Sequence, residues 1–509
     1  MGGMSISRKK YYISSFFWGT LAKLITAVVN FISVPLLLGM YGNVNYGVLS
    51  LAQAANAYIS LLDMGMNTGA VKFFSEWRAE DKTDLINKTS RSNITFYIGI
   101  GILNSCILVL LALFGRNIFS VTEDQFIILQ KCFFIIACFS VFNWASAAFN
   151  QLLVSAEKVS FVNKMQCATA ILNAVAVFLA VKCHLSLVKY FFLVVMISSL
   201  LLIPYLMQVI HLHLVDSVFP GWHWSSFKIV FLYSLNIFAL SIFQMTASSS
   251  RPIVLGIFSS DAANISSEYR ILTVFPNFIL TIGGILSTLL LPKSSKALAL
   301  DDKIAKENIA YKGTFITSVL ANVLCLPFIL CSKEVISAYV GSDYAYLSIP
   351  FIIWLLSVLY QTHSTPCNSL ILATGKTKWI VVSTAGACVI SVAMNIALCK
   401  SMGIMAAVLS YALYVFIVIT AYYVFYYRKI LELSGFRVFK SFLLPTLLGF
   451  FSLFITFFIP FDALKIWNSA TRWTFVCKCF VKSSVWCVLY AGMLLLILLM
   501  NKKIWSLKK

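Results

Sequence analysis

Apolar runs of about 20 residues, separated by short polar segments, recur along the whole chain. Runs of that length match the thickness of a bilayer, whereas the strands of a membrane β-barrel need only about ten residues of alternating polarity. The pattern therefore predicts an all-α integral membrane protein with about fourteen transmembrane helices. The predicted spans are roughly 13–38, 46–70, 94–114, 126–150, 161–182, 188–210, 229–256, 265–291, 313–332, 347–372, 380–399, 404–427, 442–461 and 474–500.

The composition agrees with this prediction. Of 509 residues, 60% are hydrophobic and 11% are charged, whereas an ordinary soluble domain has about 25% charged residues. The net charge of +21 is spread over short segments between the spans, so membrane lipid rather than nucleic acid is the expected partner. Most of the 13 cysteines fall within apolar runs, which indicates small buried side chains and no disulfide framework.

The distribution of basic residues predicts the orientation. Most of the 39 Lys and Arg residues fall in the segments that share a side with both chain ends, and positive segments stay in the cytoplasm. We therefore expect both termini to be cytoplasmic. The two longest inner segments, 71–92 and 292–312, mix both signs of charge and are expected to form short helices on the cytoplasmic surface.

A polar stripe runs along the second predicted span. Gln53, Asn56, Ser60, Asp63 and Asn67 follow one another at spacings of three and four residues, which places them on one face of an uninterrupted helix. Hydrocarbon offers these groups no partners, and a carboxylate there costs about 2.5–3.5 kcal/mol on insertion scales. The stripe is therefore expected to face other helices or a watery cavity.

The chain carries an internal repeat. The segment 35–41 (PLLLGMY) resembles 252–258 (PIVLGIF), and 46–50 (YGVLS) resembles 269–273 (YRILT). These matches keep their order at an offset of about 220 residues, as expected of a duplicated unit. Six spans per repeat give both halves the same orientation. The predicted organisation is an N-terminal six-helix lobe at 1–215, a pseudo-symmetric second lobe at 216–430 and a further helix pair at 431–509.

The first two spans of each repeat carry polar seams, which predicts that they form the walls of one central cavity between the lobes. Besides the stripe described above, the seam residues are Lys23, Thr26, Asn30 and Ser33, then Ser241, Gln244, Ser248 and Arg251, then Arg270, Thr273, Asn277 and Thr281. The residues expected to bind substrate are Lys23, Asn30, Gln53, Asn56, Gln244, Arg251, Arg270 and Asn277.

Basic residues outnumber acidic ones in these seams. Lys23, Arg251 and Arg270 stand against Asp63 and Glu268, so the cavity suits an anionic substrate, and arginine in particular suits phosphate. Two alternatives stay open. The arginines and Glu268 could lie at the outer membrane surface, and Lys23 could form a structural ion pair with Asp63.

Other polar residues have simpler interpretations. A lone His363 in a span is more often a satisfied donor between helices than a proton relay, and Lys478 with Lys482 is typical of side chains that reach the outer interface. We find no paired catalytic carboxylates in a sizeable loop, no Ser/His/Asp arrangement and no Cys/His metal cluster. The sequence therefore predicts no enzyme activity, no cofactor and no metal.

Several motifs together resemble the Wzx-type polysaccharide flippases of the multidrug/oligosaccharidyl-lipid/polysaccharide (MOP) exporter superfamily. They are the segment 35–41, the sequence Leu62-Asp63-Met64-Gly65 before a charged segment, and Ala373-Thr374-Gly375-Lys376 before a span that contains Asn395. The resemblance covers nearly the whole chain. It departs from the family at Ser250, where many relatives have an acidic residue, and this departure moves the expected coupling-ion site to Asp63.

The resemblance implies a function. Such proteins carry undecaprenyl-pyrophosphate-linked oligosaccharide units, such as those of O-antigen or capsule, to the outer leaflet of the bacterial inner membrane. By this resemblance Lys23, Arg251 and Arg270 would meet the pyrophosphate, while Asn, Gln and Ser side chains would meet the sugar. Coupling to H⁺ or Na⁺ and association with a polysaccharide polymerase are further expectations.

Three other functions compete with this one. A drug/cation antiporter of the same superfamily should have a cavity dominated by acidic residues. A lipid II-type peptidoglycan-precursor flippase could use the same cavity. A polysaccharide polymerase or lipid-linked glycosyltransferase needs a substantial outer loop, and the outer connections 333–346 and 462–473 are short.

Overall fold

A computed structural model describes residues 2–259, 261–374, 376, 378–461 and 472–505. Throughout these ranges the regular elements are helices, and the backbone contains no strand. The helices are α1 (Gly2–Ile59), α2 (Met66–Ala79), α3 (Thr83–Phe114), α4 (Glu123–Ser155), α5 (Val159–Lys182), α6 (Leu187–Ser199), α7 (Leu202–His211), α8 (Trp224–Phe258), α9 (Ala262–Ala299), α10 (Lys303–Glu307), α11 (Gly313–Leu330), α12 (Ser332–Val340), α13 (Ser348–Thr362), α14 (Thr365–Ala373), α15 (Lys378–Met402), α16 (Ile404–Ala421), α17 (Gly435–Phe457) and α18 (Arg472–Trp505).

The all-helical membrane fold predicted from the sequence is confirmed. Eleven stretches of the described chain are long and apolar enough to cross a bilayer. The longest, Ser14–Arg78, covers two predicted spans, and they meet at a kink at Gly42 (φ 78°, ψ 167°). The helices α8 and α9, 35 and 38 residues long, correspond to predicted spans seven and eight.

The second predicted span is not one uninterrupted helix, so the expected five-residue stripe is broken. The α-helix ends at Ile59 and gives way to a 3₁₀ turn over Ser60–Asp63. Met64 (φ 50°) and Gly65 (φ 73°) are left-handed, and α2 begins at Met66. Two successive left-handed residues end an α-helix, because neither can continue its hydrogen-bond ladder. Gln53 and Asn56 therefore lie on a different helix from Asn67.

The segments predicted as short surface helices are mainly the ends of long ones. The segment 71–92 holds the end of α2 and the start of α3, and 292–312 holds the end of α9, the short α10 and a π-helical turn. In the second segment Lys306 hydrogen-bonds the exposed Asp301 at 2.7 Å, and this contact and the lysine charge lower the pKa of that carboxyl.

The described chain forms two compact units. The first comprises Met1–Arg270 with Ile396–Gly403, and the second comprises Ile271–Asn395 with Ile404–Lys509. The boundaries 215/216 and 430/431 of the expected six-helix lobes remain a prediction.

The core of the first unit is built by large apolar side chains from α2, α3, α4, α7 and α8, among them Met66, Phe74, Tyr97, Leu152 and Phe227. Small residues let the backbones approach closely, as is common between membrane helices. A Cβ added at Gly101 of α3 would lie 2.7 Å from the Cα of Val141 in α4. A Cβ at Gly47 of α1 would lie only 1.7 Å from the carbonyl oxygen of Ala263 in α9.

The second unit has its own core, to which Cys367, Leu370 and Tyr426 belong. His363 is fully buried there, with one ring nitrogen on the carbonyl of Tyr360 and the other 3.1 Å from the hydroxyl of Tyr423. It is therefore the satisfied interhelical group that the sequence favours.

Lys482 of α18 does not simply extend to an interface. Its ammonium lies 2.6 Å from the carboxylate of Glu334 in α12, and both side chains are about one-fifth exposed. The predicted role of Lys482 as a side chain reaching the outer interface is therefore incomplete, because spacing along one helix cannot reveal a partner on another.

Candidate functional site

Two adjoining cavities, lined by polar and apolar side chains, lie between α1 and α5 in the first unit; together we call them the α1–α5 cavity. The larger part has a volume of about 220 Å³ and the smaller part about 90 Å³. Val29, Asn30 and Asn173 line both parts. The larger part is completed by Thr26, Gln166, Thr169, Ala170 and Leu201. The smaller part is completed by Ser33, Leu37, Tyr46, Leu49, Gln53, Val177, Tyr190, Val194 and Arg270.

Helical spacing explains why these polar groups converge. On α1, Thr26, Asn30 and Ser33 lie four and three residues apart, and so share one face. On α5, Gln166, Thr169 and Asn173 follow at spacings of three and four. Because α1 and α5 pack against each other, the two faces meet and enclose the cavity. The sequence analysis missed the α5 face, although its spacing carried the same signal as that of α1.

The serine and threonine hydroxyl groups of this cavity are bonded within their own helices. Thr26 donates to the carbonyl of Ala22, and Ser33 donates to that of Asn30. The amide side chains are different. The oxygen of Asn173 is buried and accepts no hydrogen bond from the described residues. A buried acceptor of this kind costs free energy until a donor reaches it, and that donor can come from water or from a bound molecule.

Arg270 is the charged residue among those that line the smaller part of the cavity. Its side chain hydrogen-bonds the hydroxyl of Tyr46, which orients the guanidinium on the cavity wall. A guanidinium keeps its charge at all physiological pH values and has five donors in a planar fork. This end of the cavity therefore combines a permanent positive charge with the aromatic rings of Tyr46 and Tyr190.

Asp63 lies in a separate polar network. Tyr97 donates to Oδ1 of Asp63 at 2.5 Å, and the backbone N–H of Asn67 donates to Oδ2 at 3.3 Å. Behind Tyr97, the amide of Gln151 donates to the phenol oxygen at 2.6 Å, and Asn93 donates to Gln151 at 2.7 Å. Each of these partners is neutral, and within the described residues no ion pair joins Lys23 to Asp63.

The sequence analysis predicted Asp63 but none of its side-chain partners. Tyr97, Gln151 and Asn93 are buried on α3 and α4. Spacing along one helix cannot reveal a partner on another, so the sequence alone could not link these residues to Asp63.

The remaining predicted site residues are dispersed. Lys23 is exposed on α1, Asn56 is half-buried, and Asn277 is exposed on α9 of the second unit. The side chain of Gln244 lies outside the described part of the structure. The structure brings three of the eight predicted substrate-binding residues together, namely Asn30, Gln53 and Arg270.

Arg251 is buried in the first unit, with 5% of its surface exposed. Its side chain hydrogen-bonds Tyr269, as Arg270 does Tyr46. Tyr46 and Tyr269 are the matched tyrosines of the sequence repeat. Arginine–tyrosine contacts therefore occur at both copies of the motif.

The α1–α5 cavity offers binding chemistry. One guanidinium can neutralise an anionic group, amides can both donate to and accept from hydroxyl groups, and tyrosine rings offer an apolar face. Among the described residues, no group of three or more His, Cys, Asp or Glu side chains could hold a metal ion.

The sequence and the fold were compared with known proteins. The sequence profile of a family described as polysaccharide biosynthesis protein matches residues 13–298. No protein of curated function matches the chain.

Solved structures share the fold. The lipid II flippase MurJ, in an inward closed conformation, superposes with a TM-score of 0.69 at 15% identity, over 96% of this chain and 99% of that one. The inward-facing form of a multidrug resistance MATE family transporter of the MOP superfamily gives a TM-score of 0.60 at 12% identity, over 86% and 95% of the chains. The bent form of the Vibrio cholerae MATE transporter VcmN gives 0.53 at 12% identity, over 88% and 99%. Such low identities establish likeness of fold.

Proposed function

The chain belongs to the polysaccharide biosynthesis protein family, and from this premise we propose that it is a flippase for undecaprenyl-pyrophosphate-linked oligosaccharide units. It carries them from the cytoplasmic to the outer leaflet of the bacterial inner membrane by alternating access, with both termini in the cytoplasm. The membership also confirms the superfamily that the sequence motifs predict. One observation carries the proposal: Arg270, Asn30 and Gln53 line one cavity.

In this proposal different residues of the α1–α5 cavity bind different parts of the substrate. The guanidinium of Arg270 binds a pyrophosphate oxygen, because its planar fork matches phosphate geometry. Asn30, Gln53 and Asn173 bind sugar hydroxyls, which act as donors and acceptors, as amides do. The polyprenyl chain stays in the lipid, since its burial in a polar cavity would be unfavourable. Lys23, Arg251 and Asn277 remain proposed further contacts.

Asp63 is the proposed site of the coupling ion, H⁺ or Na⁺. Its described partners Tyr97 and Asn67 are neutral donors, so they stabilise the carboxylate by hydrogen bonds without neutralising its charge. A charged carboxylate is expensive at membrane depth. Binding a proton or a cation would remove that cost, and ion binding would thereby change the stability of the local structure.

The cavity favours this function over a drug/cation antiporter, because its charged lining residue is the basic Arg270. A lipid II-type flippase is the second candidate, since the MurJ structure superposes over nearly the full length of both chains. The two substrates share a polyprenyl pyrophosphate and differ in the attached units. Association with a polysaccharide polymerase is also part of the proposal.

The experiment measures translocation of a fluorescent polyprenyl-pyrophosphate oligosaccharide in proteoliposomes, together with export of surface polysaccharide by cells. Loss of a charge-assisted hydrogen bond costs about 1.5–3 kcal/mol, so we expect Arg270→Ala to slow translocation by about ten- to hundredfold. Asn173→Leu, which fills the amide position with an apolar group, should also slow it. Arg437→Ala is the control, since Arg437 is an exposed arginine of α17 in the second unit.

Two outcomes would overturn the proposal. One is wild-type translocation by both cavity variants, provided that they insert normally in the membrane. The other is rescue of cells depleted of their peptidoglycan-precursor flippase without any effect on surface polysaccharide, because that result would assign the second candidate function.

A further inference from the structure

Two thiols from distant parts of the chain meet in the second unit, where α12 packs against α18. Cys331 is fully buried at the junction of α11 and α12, and Cys479 is half-buried near the start of α18. The sulfur of Cys331 lies 4.0 Å from the carbonyl oxygen of Cys479, so the two residues are in contact where α12 meets α18.

An ion pair fixes the register of the same two helices. Glu334 and Lys482 follow the two cysteines by three residues each, and their charged groups lie 2.6 Å apart. Residues three apart on a helix are neighbours on one face. The ion pair and the thiol pair therefore form two successive contacts along one interface, so the thiols are held together by the packing around them.

We propose that Cys331 and Cys479 form a disulfide bond in the mature protein. Bridged cysteines need Cα atoms within about 7 Å and side chains that point at each other. The sulfur of Cys331 already reaches the backbone of Cys479, so the two residues are direct neighbours, as a bridge requires. Metal binding is a poorer explanation, because the pair lacks a third ligand among the described residues. The proposal is independent of the proposed transport function.

The chemistry requires an oxidant, which we take to be a protein disulfide. The Cys479 thiol loses its proton to water, and the thiolate attacks one sulfur of the oxidant, whose other sulfur leaves as a thiolate. The Cys331 thiolate then attacks Cys479 in this mixed disulfide and releases the second oxidant sulfur. The chain loses two protons and two electrons, and the oxidant becomes a dithiol.

The predicted orientation places this pair on the oxidising side. Both cysteines lie next to the predicted outer connections 333–346 and 462–473, and disulfides persist in the bacterial periplasm. Cys331 is buried in the finished fold, so the exchange takes place before α18 docks on α12. The resulting bond would link α18 to α11 and α12 across 148 positions of chain.

The test is differential alkylation of the full-length protein in cells. Free thiols are blocked with N-ethylmaleimide in denaturant at the moment of lysis, disulfides are then reduced, and newly exposed thiols receive an isotopically distinct label for mass spectrometry. We expect the second label on Cys331 and Cys479 in equal amounts, and expect it to fall sharply in cells that lack their periplasmic thiol oxidase.

Cys477 is the matched control, because it is exposed on α18 two residues from Cys479, and it should carry the first label. In the variant Cys331→Ser, Cys479 should change from the second label to the first. The proposal is overturned if both cysteines carry the first label in oxidising cells. It is equally overturned if Cys479 keeps the second label in Cys331→Ser, because its partner would then be another thiol.

Discussion

The phenol of Tyr97 on α3 donates a hydrogen bond of 2.5 Å to the carboxylate of Asp63, at the point where the helix after Gly42 has just ended. Tyr97 is itself held by the amide of Gln151 on α4. Side-chain hydrogen bonds thereby connect the break between α1 and α2 to α3 and α4. The first test of the structure is removal of this one donor.

We expect Tyr97→Phe to destabilise the protein by about 1–3 kcal/mol, because the amide N–H of Gln151 loses its acceptor and the carboxylate of Asp63 loses one of its donors. The ring and its packing against Trp144 would be retained. The measurement is the apparent melting temperature in detergent.

Tyr205→Phe is the control for this change. Tyr205 is buried in the same core, so its phenylalanine variant should melt close to wild type. Equal melting temperatures for wild type and Tyr97→Phe would contradict the idea that the network holds the helix break in place.

Gly101→Ala should destabilise the protein, because the added Cβ would lie 2.7 Å from the Cα of Val141 and force α3 and α4 apart. Gly99, two residues away on α3, has no neighbour within 4 Å of its added Cβ. Alanine is favoured over glycine in a helix by about 0.5–1 kcal/mol, so Gly99→Ala should leave stability unchanged or raise it. In thermal unfolding, we expect Gly101→Ala to lower the melting temperature and Gly99→Ala to leave it unchanged or raise it. A higher melting temperature in both variants would show that α3 and α4 can separate at no cost.

The Glu334–Lys482 pair should show coupling in a double-mutant cycle. Both side chains are about one-fifth exposed, so Glu334→Gln leaves a partly desolvated ammonium without its counter-charge, and we expect a loss of about 1–3 kcal/mol. Adding Lys482→Met should restore part of that loss.

The exposed pair Asp84–Lys88 is the comparison for this cycle, with side chains 73% and 49% exposed. Its coupling should stay below about 1 kcal/mol. Thermal unfolding of the four variants of each pair gives both values. Equal coupling in the two pairs would mean that packing around Glu334 contributes nothing.

Arg270→Lys tests whether geometry or charge matters in the α1–α5 cavity. Lysine keeps the charge but lacks the planar fork, and it is less suited to hold Tyr46 and an anion together. In the same proteoliposome assay, we expect Arg270→Lys to have a lower apparent substrate affinity than wild type and a higher one than Arg270→Ala. Wild-type behaviour of the lysine variant would show that charge alone is sufficient.

Much of the fold could be predicted from the sequence, because apolar runs longer than the bilayer thickness permit few alternatives. What escaped prediction were interruptions inside those runs. The kink at Gly42 and the left-handed pair Met64–Gly65 depend on backbone angles, which hydrophobic periodicity does not report. The predicted stripe assumed one uninterrupted helix, and it therefore wrongly placed Ser60, Asp63 and Asn67 on the same face as Gln53 and Asn56.

The candidate site was likewise predicted only in part. Asn30, Gln53 and Arg270 were predicted from seams with helical spacing, and the structure places them on one cavity. Asn173 belongs to an equally regular face on α5 that the sequence analysis overlooked. Lys23 follows the same spacing as Asn30 but is not among the residues that line the cavity, because spacing fixes a face of a helix and leaves open which neighbour that face meets.

The contact between Gly47 and Ala263 has a mechanical consequence. No side chain separates the two backbones there, and the amide of Asn43 donates to that of Asn264 at 2.9 Å one turn away. The close backbone contact and the hydrogen bond therefore hold the beginning of α9 against α1 and oppose sliding of one helix along the other. Since Gln53 and Arg270 lie further along these same helices, we expect the distance between them to change little when other helices move.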